Sequence, residues 1–139
     1  MKPYIRSVNY YETDQMHVVH HSNYARYMEE ARLFYMEQIG LSYDKLEEIG
    51  IIIPVLELHD YYIQSLGYGD TFEVRAQIVR ITPVRFNVQY EFYKVGTGEK
   101  IHTGETSHAF LDRDFRPMNL RKKYPEVYDE LAKHVVDSF

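Results

Sequence analysis

A chain of 139 residues suits one domain covering residues 1–139 and leaves no room for two, and its 45% apolar content is enough for a packed core. A formal net charge of −5 argues against wrapping nucleic acid, whose affinity comes largely from Lys and Arg on phosphates. With no cysteine, disulfides, thiolate metal sites and a cysteine nucleophile are excluded. No apolar run approaches a membrane span and none has the form of a signal peptide, so a cytoplasmic protein is expected.

Residues 4–9 fit a short first strand, and a polar, histidine-rich loop follows over residues 12–23. A helical period then begins. Tyr24, Tyr27, Met28, Ala31, Phe34, Tyr35 and Gln38 recur at spacings of three and four, while Arg26, Glu29, Glu30 and Glu37 occupy the other face. Ser22 or Asn23 is the expected N-cap and Gly40 the stop. A short helix is expected over residues 43–49, ending at Gly50.

Beyond Gly50 the period changes to two. Residues 51–64 read as a strand bent near Pro54, and residues 67–70 as a turn. Phe72, Val74, Ala76 and Ile78 alternate with polar residues, as do Phe86, Val88, Tyr90 and Phe92. Turns at Thr82-Pro83 and residues 96–98 separate these strands from another over residues 100–111, and a last helix is expected over residues 124–136. Short turns between consecutive strands imply antiparallel pairing. The single long apolar helix then packs on the concave face of a curled antiparallel sheet, giving an α+β roll wrapped around one central helix. Such a sheet leaves apolar and edge surface uncovered, so a homo-oligomer is expected.

The segment from Tyr10 to Tyr24 joins the first strand to the long helix. It holds Tyr10, Asp14, the pair Val18-Val19, His21, and Asn23-Tyr24, with Glu29-Glu30-Ala31-Arg32 further along the helix. This pattern resembles the signature of the 4-hydroxybenzoyl-CoA thioesterase family, and within it the branch of short acyl-CoA thioesterases associated with the Tol-Pal system. The resemblance extends over roughly residues 4–120. It departs at His17, where the family usually has Gly, and at His20, where an aromatic is common.

The resemblance implies a hot-dog fold and hydrolysis of a short-chain or aromatic acyl thioester of CoA or acyl carrier protein. Asp14, His21 and Tyr10 become the catalytic candidates, and Asn23, Tyr24 and Val19 the substrate-binding ones. A dimer or tetramer with its site between subunits is also implied. The chemistry fits the spacing. Asp14 can activate water or attack directly. The first N–H groups of a helix lack internal partners and can hold an oxyanion, which makes the His21 amide the candidate donor. Read without the resemblance, Asp14 is a cap or turn residue, His21 a loop histidine and Tyr10 a packing residue.

His17, His20 and His21 near Asp14 could gather zinc, but no fourth ligand or HExxH pattern accompanies them, so no metal is expected. No GxGxxG, P-loop or Gly-x-Ser-x-Gly motif is present, so no nucleotide cofactor is expected. The competing readings are a non-catalytic acyl-CoA-binding module and a hydroxyacyl-thioester dehydratase. The dehydratase places its acid on the central helix, whereas Asp14 precedes it.

Overall fold

The computed structural model describes residues 1–137. Strand β1 (Tyr4–Ser7) leads through a 3-10 turn (Tyr10–Glu12) into helix α1 (Ser22–Gln38) and then helix α2 (Tyr43–Ile49). Strands β2 (Val55–Tyr62), β3 (Thr71–Ile81), β4 (Arg85–Lys94) and β5 (Lys100–Ala109) follow. Two short helices, α3 (Leu120–Lys123) and α4 (Pro125–Lys133), close the described chain. The strands form one antiparallel five-stranded sheet in the order β1-β3-β4-β5-β2. This is the curled α+β arrangement that the periodicity implies.

Alternation sets which face is buried. Phe72, Val74 and Ile78 of β3 and Phe86, Val88, Tyr90 and Phe92 of β4 are all buried beneath α1. Their neighbours Glu73, Arg75, Gln77, Asn87, Gln89 and Glu91 occupy the opposite face. The helix meets this floor with Tyr24, Tyr27, Met28, Ala31 and Tyr35, the stripe expected from the spacing, and adds Met36. Phe34 is only half-buried and Gln38 is exposed, so the stripe narrows toward the helix end. The helix stops where Gly40 takes φ +80°, a left-handed conformation that glycine adopts without steric cost.

Gly104 lets the helix sit close on β5. A Cβ at that position would lie 2.3 Å from Met28 Sδ and 3.2 Å from the His59 carbonyl. The same face carries a buried polar chain. Arg32 donates to Tyr43 and Tyr90 hydroxyls, each at 3.0 Å, Tyr90 meets Thr106 Oγ1 at 2.7 Å, and Thr106 meets His108 Nε2 at 2.8 Å. Burial, and next the Arg32 charge, push the His108 imidazole down to about 3, so it stays neutral.

Several boundaries differ from the sequence reading. The first strand ends at Ser7, because residues 10–12 coil into the 3-10 turn. The strand expected over residues 51–64 is regular only over Val55–Tyr62. Pro54 has no N–H to donate, and Ile52 forms an isolated bridge with Leu111. Helix α1 starts at Ser22 with His21 as the N-cap. The C-terminal helix ends at Lys133, and a separate turn of helix precedes it at Leu120–Lys123. Strand β2 is a sheet edge, and Val55, Leu56, Leu58, Tyr61 and Tyr62 are all exposed on it. Among the described residues, no helix is long and apolar enough to cross a membrane.

Candidate active site

The loop between β1 and α1 is a small hairpin of its own. Asp14 N–H donates to the Val18 carbonyl at 2.9 Å and His17 N–H to the Asp14 carbonyl at 3.0 Å. Thr13 bridges Val19. Such a turn needs a left-handed residue at its third position, and His17 fills it with φ +65°. Glycine would suit this position, and its place is taken by a side chain that bears some backbone strain.

Glu12 fastens the start of the loop. Its carboxylate lies 2.7 Å from Arg6 Nη2 and accepts the Asn9 N–H at 2.8 Å. Arg6 also reaches Glu30 of α1 at 2.8 Å, tying strand, loop and helix together. The Glu12 carbonyl accepts twice, from His20 N–H and from Asn23 Nδ2, both at 2.9 Å. On the far side, Val19 N–H donates to Leu66 at 2.8 Å, docking the hairpin on the turn before β3.

Asp14 and His21 both retain hydrogen-bonding capacity. Asp14 is half-buried, and its Oδ1 accepts the Met16 N–H at 2.8 Å in an Asx turn. Among the described residues, no donor meets its other oxygen. At the helix start, Ser22 N–H is taken by His20 Nδ1 at 3.2 Å and Asn23 N–H by the His20 carbonyl at 2.9 Å. The His21 N–H has no acceptor among the described residues. It lies at the positive end of the helix dipole.

Asp14 and His21 open onto one cleft of about 280 Å3. Val18 and Val19 of the hairpin line it, Tyr24 supplies an aromatic wall from α1, and the opposite wall runs from Tyr62 to Ser65. A cavity of about 150 Å3 is enough for a benzene ring, so the cleft has room for a group of that size. The Tyr24 hydroxyl is pushed up to about 12, by burial first and then by Tyr62 and Asp60 nearby, and remains a neutral donor.

The structure therefore brings Asp14, His21, Tyr24 and Val19 to one cleft. Tyr10 and Asn23 lie elsewhere. Tyr10 is 75% exposed and packs edge-on against Tyr68 at 5.5 Å, beside a second hollow on the other side of Asp14. Asn23 is buried with its amide on the Glu12 carbonyl, a loop-fastening contact rather than a cleft-facing one. The His21 ring is exposed and lies 4.1 Å from the His20 ring. Among the described residues, no three His, Cys, Asp or Glu side chains are grouped to hold a metal. The wall from Tyr62 to Ser65 carries no sequence signal, because its place at the cleft comes from sheet pairing. Glu12 had one: Asn9 and Glu12 stand at the spacing of a helix-capping pair.

Comparison with known proteins gives concordant matches. The protein named "Putative acyl-CoA thioesterase YneP" of Bacillus subtilis is 32% identical over 127 residues, 91% of each chain. A 1,4-dihydroxy-2-naphthoyl-CoA hydrolase of Thermosynechococcus vestitus is 27% identical, over 84% of this chain and 80% of its own. A DHNA-CoA thioesterase of Staphylococcus aureus superposes with a TM-score of 0.89 at 32% identity, over 94% of this chain and 88% of that one. The family described as the thioesterase-like superfamily matches residues 8–135. With that match spanning nearly the whole chain, and the close superposition on the Staphylococcus aureus enzyme, the protein belongs to the thioesterase-like superfamily and has its hot-dog fold.

Proposed function

We propose that this chain is an acyl-CoA thioesterase, built as a single domain and acting in the cytoplasm, with Asp14 as its reacting carboxylate. The observation that carries this reading is that Asp14 and His21, whose N–H has no acceptor among the described residues, line one cleft. A thioester carbonyl held there has an oxyanion donor and a base within the same small volume. Asp14 takes a proton from water as hydroxide adds to the carbonyl carbon, or adds directly to form a mixed anhydride that water then cleaves. In both routes negative charge collects on the former carbonyl oxygen beside the His21 amide. The C–S bond breaks as that charge collapses, and CoA leaves as thiolate to be protonated.

The cleft volume and the Tyr24 and Tyr62 walls favour an aromatic or short acyl group. The relatives named as 1,4-dihydroxy-2-naphthoyl-CoA hydrolases support the aromatic choice. Within the superfamily, the run from Tyr10 to Tyr24 supports kinship with the 4-hydroxybenzoyl-CoA thioesterases and their Tol-Pal-associated branch. The assembly is a homodimer or a tetramer built from it, joined along β2, whose exposed Leu56, Leu58 and Tyr62 leave an apolar edge uncovered. The cleft lies at the end of that strand, so a second protomer is positioned to complete it.

The test is thiol release from benzoyl-CoA, acetyl-CoA and a long-chain acyl-CoA, repeated with acyl carrier protein thioesters. Saturable release from an aromatic or short substrate is expected. Thermal stabilisation by acyl-CoA with no thiol released from any substrate would overturn the hydrolase reading.

A further inference from the structure

Behind the cleft wall lies an acid–base pair, buried at its imidazole and part-buried at its carboxylate, with no part in the hydrolysis described above. His102 of β5 is fully buried, and its Nε2 lies 2.7 Å from Asp60 Oδ1 on edge strand β2. Among the described residues, its Nδ1 has no partner. The ring stacks on Tyr24 with centroids 4.1 Å apart and planes at 17°. It meets Tyr62 nearly edge-on at 4.7 Å and 75°. Tyr24 and Tyr62 touch each other at 5.3 Å and 89°, and both line the cleft. The imidazole is thus the backing of both aromatic walls.

A buried polar pair is a poor way to gain stability, because an apolar pair of similar volume packs there with no desolvation cost. Phe92 already lies 4.9 Å from the same ring, so the surroundings suit an aromatic hydrocarbon. What the pair supplies that a phenyl ring lacks is direction. A hydrogen bond from Nε2 to a carboxylate fixes the rotation of the imidazole. The stack then fixes the Tyr24 ring, and the edge contact fixes Tyr62.

We propose that His102 and Asp60 form a positioning pair that holds Tyr24 and Tyr62 as a rigid wall and so selects flat aromatic acyl groups over short aliphatic ones. The inference rests on the reading of this cleft as the acyl-thioester site. Tyr24 stands one turn from the His21 amide on α1, so a fixed Tyr24 ring aligns a flat acyl group with the oxyanion donor. A small flexible acyl group makes little contact with the wall and gains little from its rigidity.

The experiment compares benzoyl-CoA with acetyl-CoA in the wild-type chain, His102→Phe and Asp60→Asn. The readout is the ratio of the two kcat/KM values, which cancels any loss of active protein. In His102→Phe, removal of one charged hydrogen bond lowers the ratio about tenfold, with the KM for benzoyl-CoA rising more than that for acetyl-CoA. In Asp60→Asn, whose amide oxygen still accepts from Nε2, the ratio falls less. A wild-type ratio in both variants, or an equal loss for both substrates, overturns the positioning role. The same ratio is read from Kd values by calorimetry in an Asp14→Asn background. If the wild-type chain releases no thiol, the hydrolase reading fails, while the Kd ratio still decides whether His102 sets the wall.

Discussion

Asp14 does two things in this structure, and one substitution separates them. Its Oδ1 accepts the Met16 N–H at 2.8 Å, which shapes the loop, and its second oxygen, which meets no donor among the described residues, is the one proposed to react. Asp14→Asn keeps an acceptor at Oδ1 and removes the charge. Asp14→Ala removes both. Loss of a positioned base slows a reaction by about 10²–10⁴, or about 3–5 kcal/mol of barrier at about 1.4 kcal/mol per decade. Loss of the Asx-turn hydrogen bond costs about 1 kcal/mol, a fall of about 4 °C in Tm for a domain of this size. Both variants should therefore lose thiol release from benzoyl-CoA to the same extent, while only the alanine variant melts early. Near-normal turnover in Asp14→Asn would remove Asp14 from the chemistry. A Tm loss in Asp14→Asn matching that of Asp14→Ala would mean that the charge shapes the loop, and the rate loss would no longer report on chemistry.

The remaining predictions concern neighbouring groups. His21 has φ −54°, which proline adopts, and its N–H has no acceptor among the described residues. His21→Pro should fold yet lose about 10²–10³ in kcat, whereas His21→Ala, which keeps the amide, should lose less than Asp14→Asn; an equal loss in the alanine variant would assign the role to the side chain. His17→Gly relieves the φ +65° strain and should raise urea-unfolding stability by about 0.5–1 kcal/mol; a fall in the urea midpoint would show that the His17 side chain makes a stabilising contact. His108 has its folded pKa depressed to about 3, so the unfolded chain binds more protons below the ordinary value of 6.5. Stability should then fall as pH drops from about 6.5 toward 3, by up to about 1.4 kcal/mol per pH unit from this residue. In His108→Phe, denaturant titration across that range should show one proton's slope removed, and an unchanged slope would refute the assignment.

How much of this was legible in the sequence depended on how local the cause was. The α1 stripe and the alternation of β3 and β4 are periodic, and burial follows the period from Tyr24 to Ala31, again at Tyr35, and from Phe86 to Phe92, with Phe34 only half-buried. The turn at residues 67–70 was equally plain, since Asp70 Oδ2 accepts the Gly67 N–H at 2.8 Å within four residues. The start of α1 was read one or two residues late. Ser22 and Asn23 are good cap types, but His20 supplies both the ring nitrogen and the carbonyl that occupy their amides. Asn23 was expected to touch substrate, and it instead bonds a carbonyl eleven residues earlier. Nothing in the sequence marks residues 62–65 as cleft wall, or pairs Asp60 with His102, because β5 brings them together across forty-two positions.

The loop's hydrogen bonds are unevenly distributed, and that unevenness bears on catalysis. Glu12, Asn23, His20 and Val19 each spend their polar groups on the protein, strapping the hairpin to β1, α1 and the turn before β3. The second oxygen of Asp14 and the His21 N–H have no partner among the described residues, and both residues line the cleft. Groups fixed before the substrate arrives need no reorganisation as charge develops, and this is where an enzyme gains most over water. The straps therefore matter to the reaction as much as the two free groups do. Without the Glu12 carboxylate the His21 amide would still lack a partner, but the start of the loop would lose its ties to Arg6 and to the Asn9 N–H.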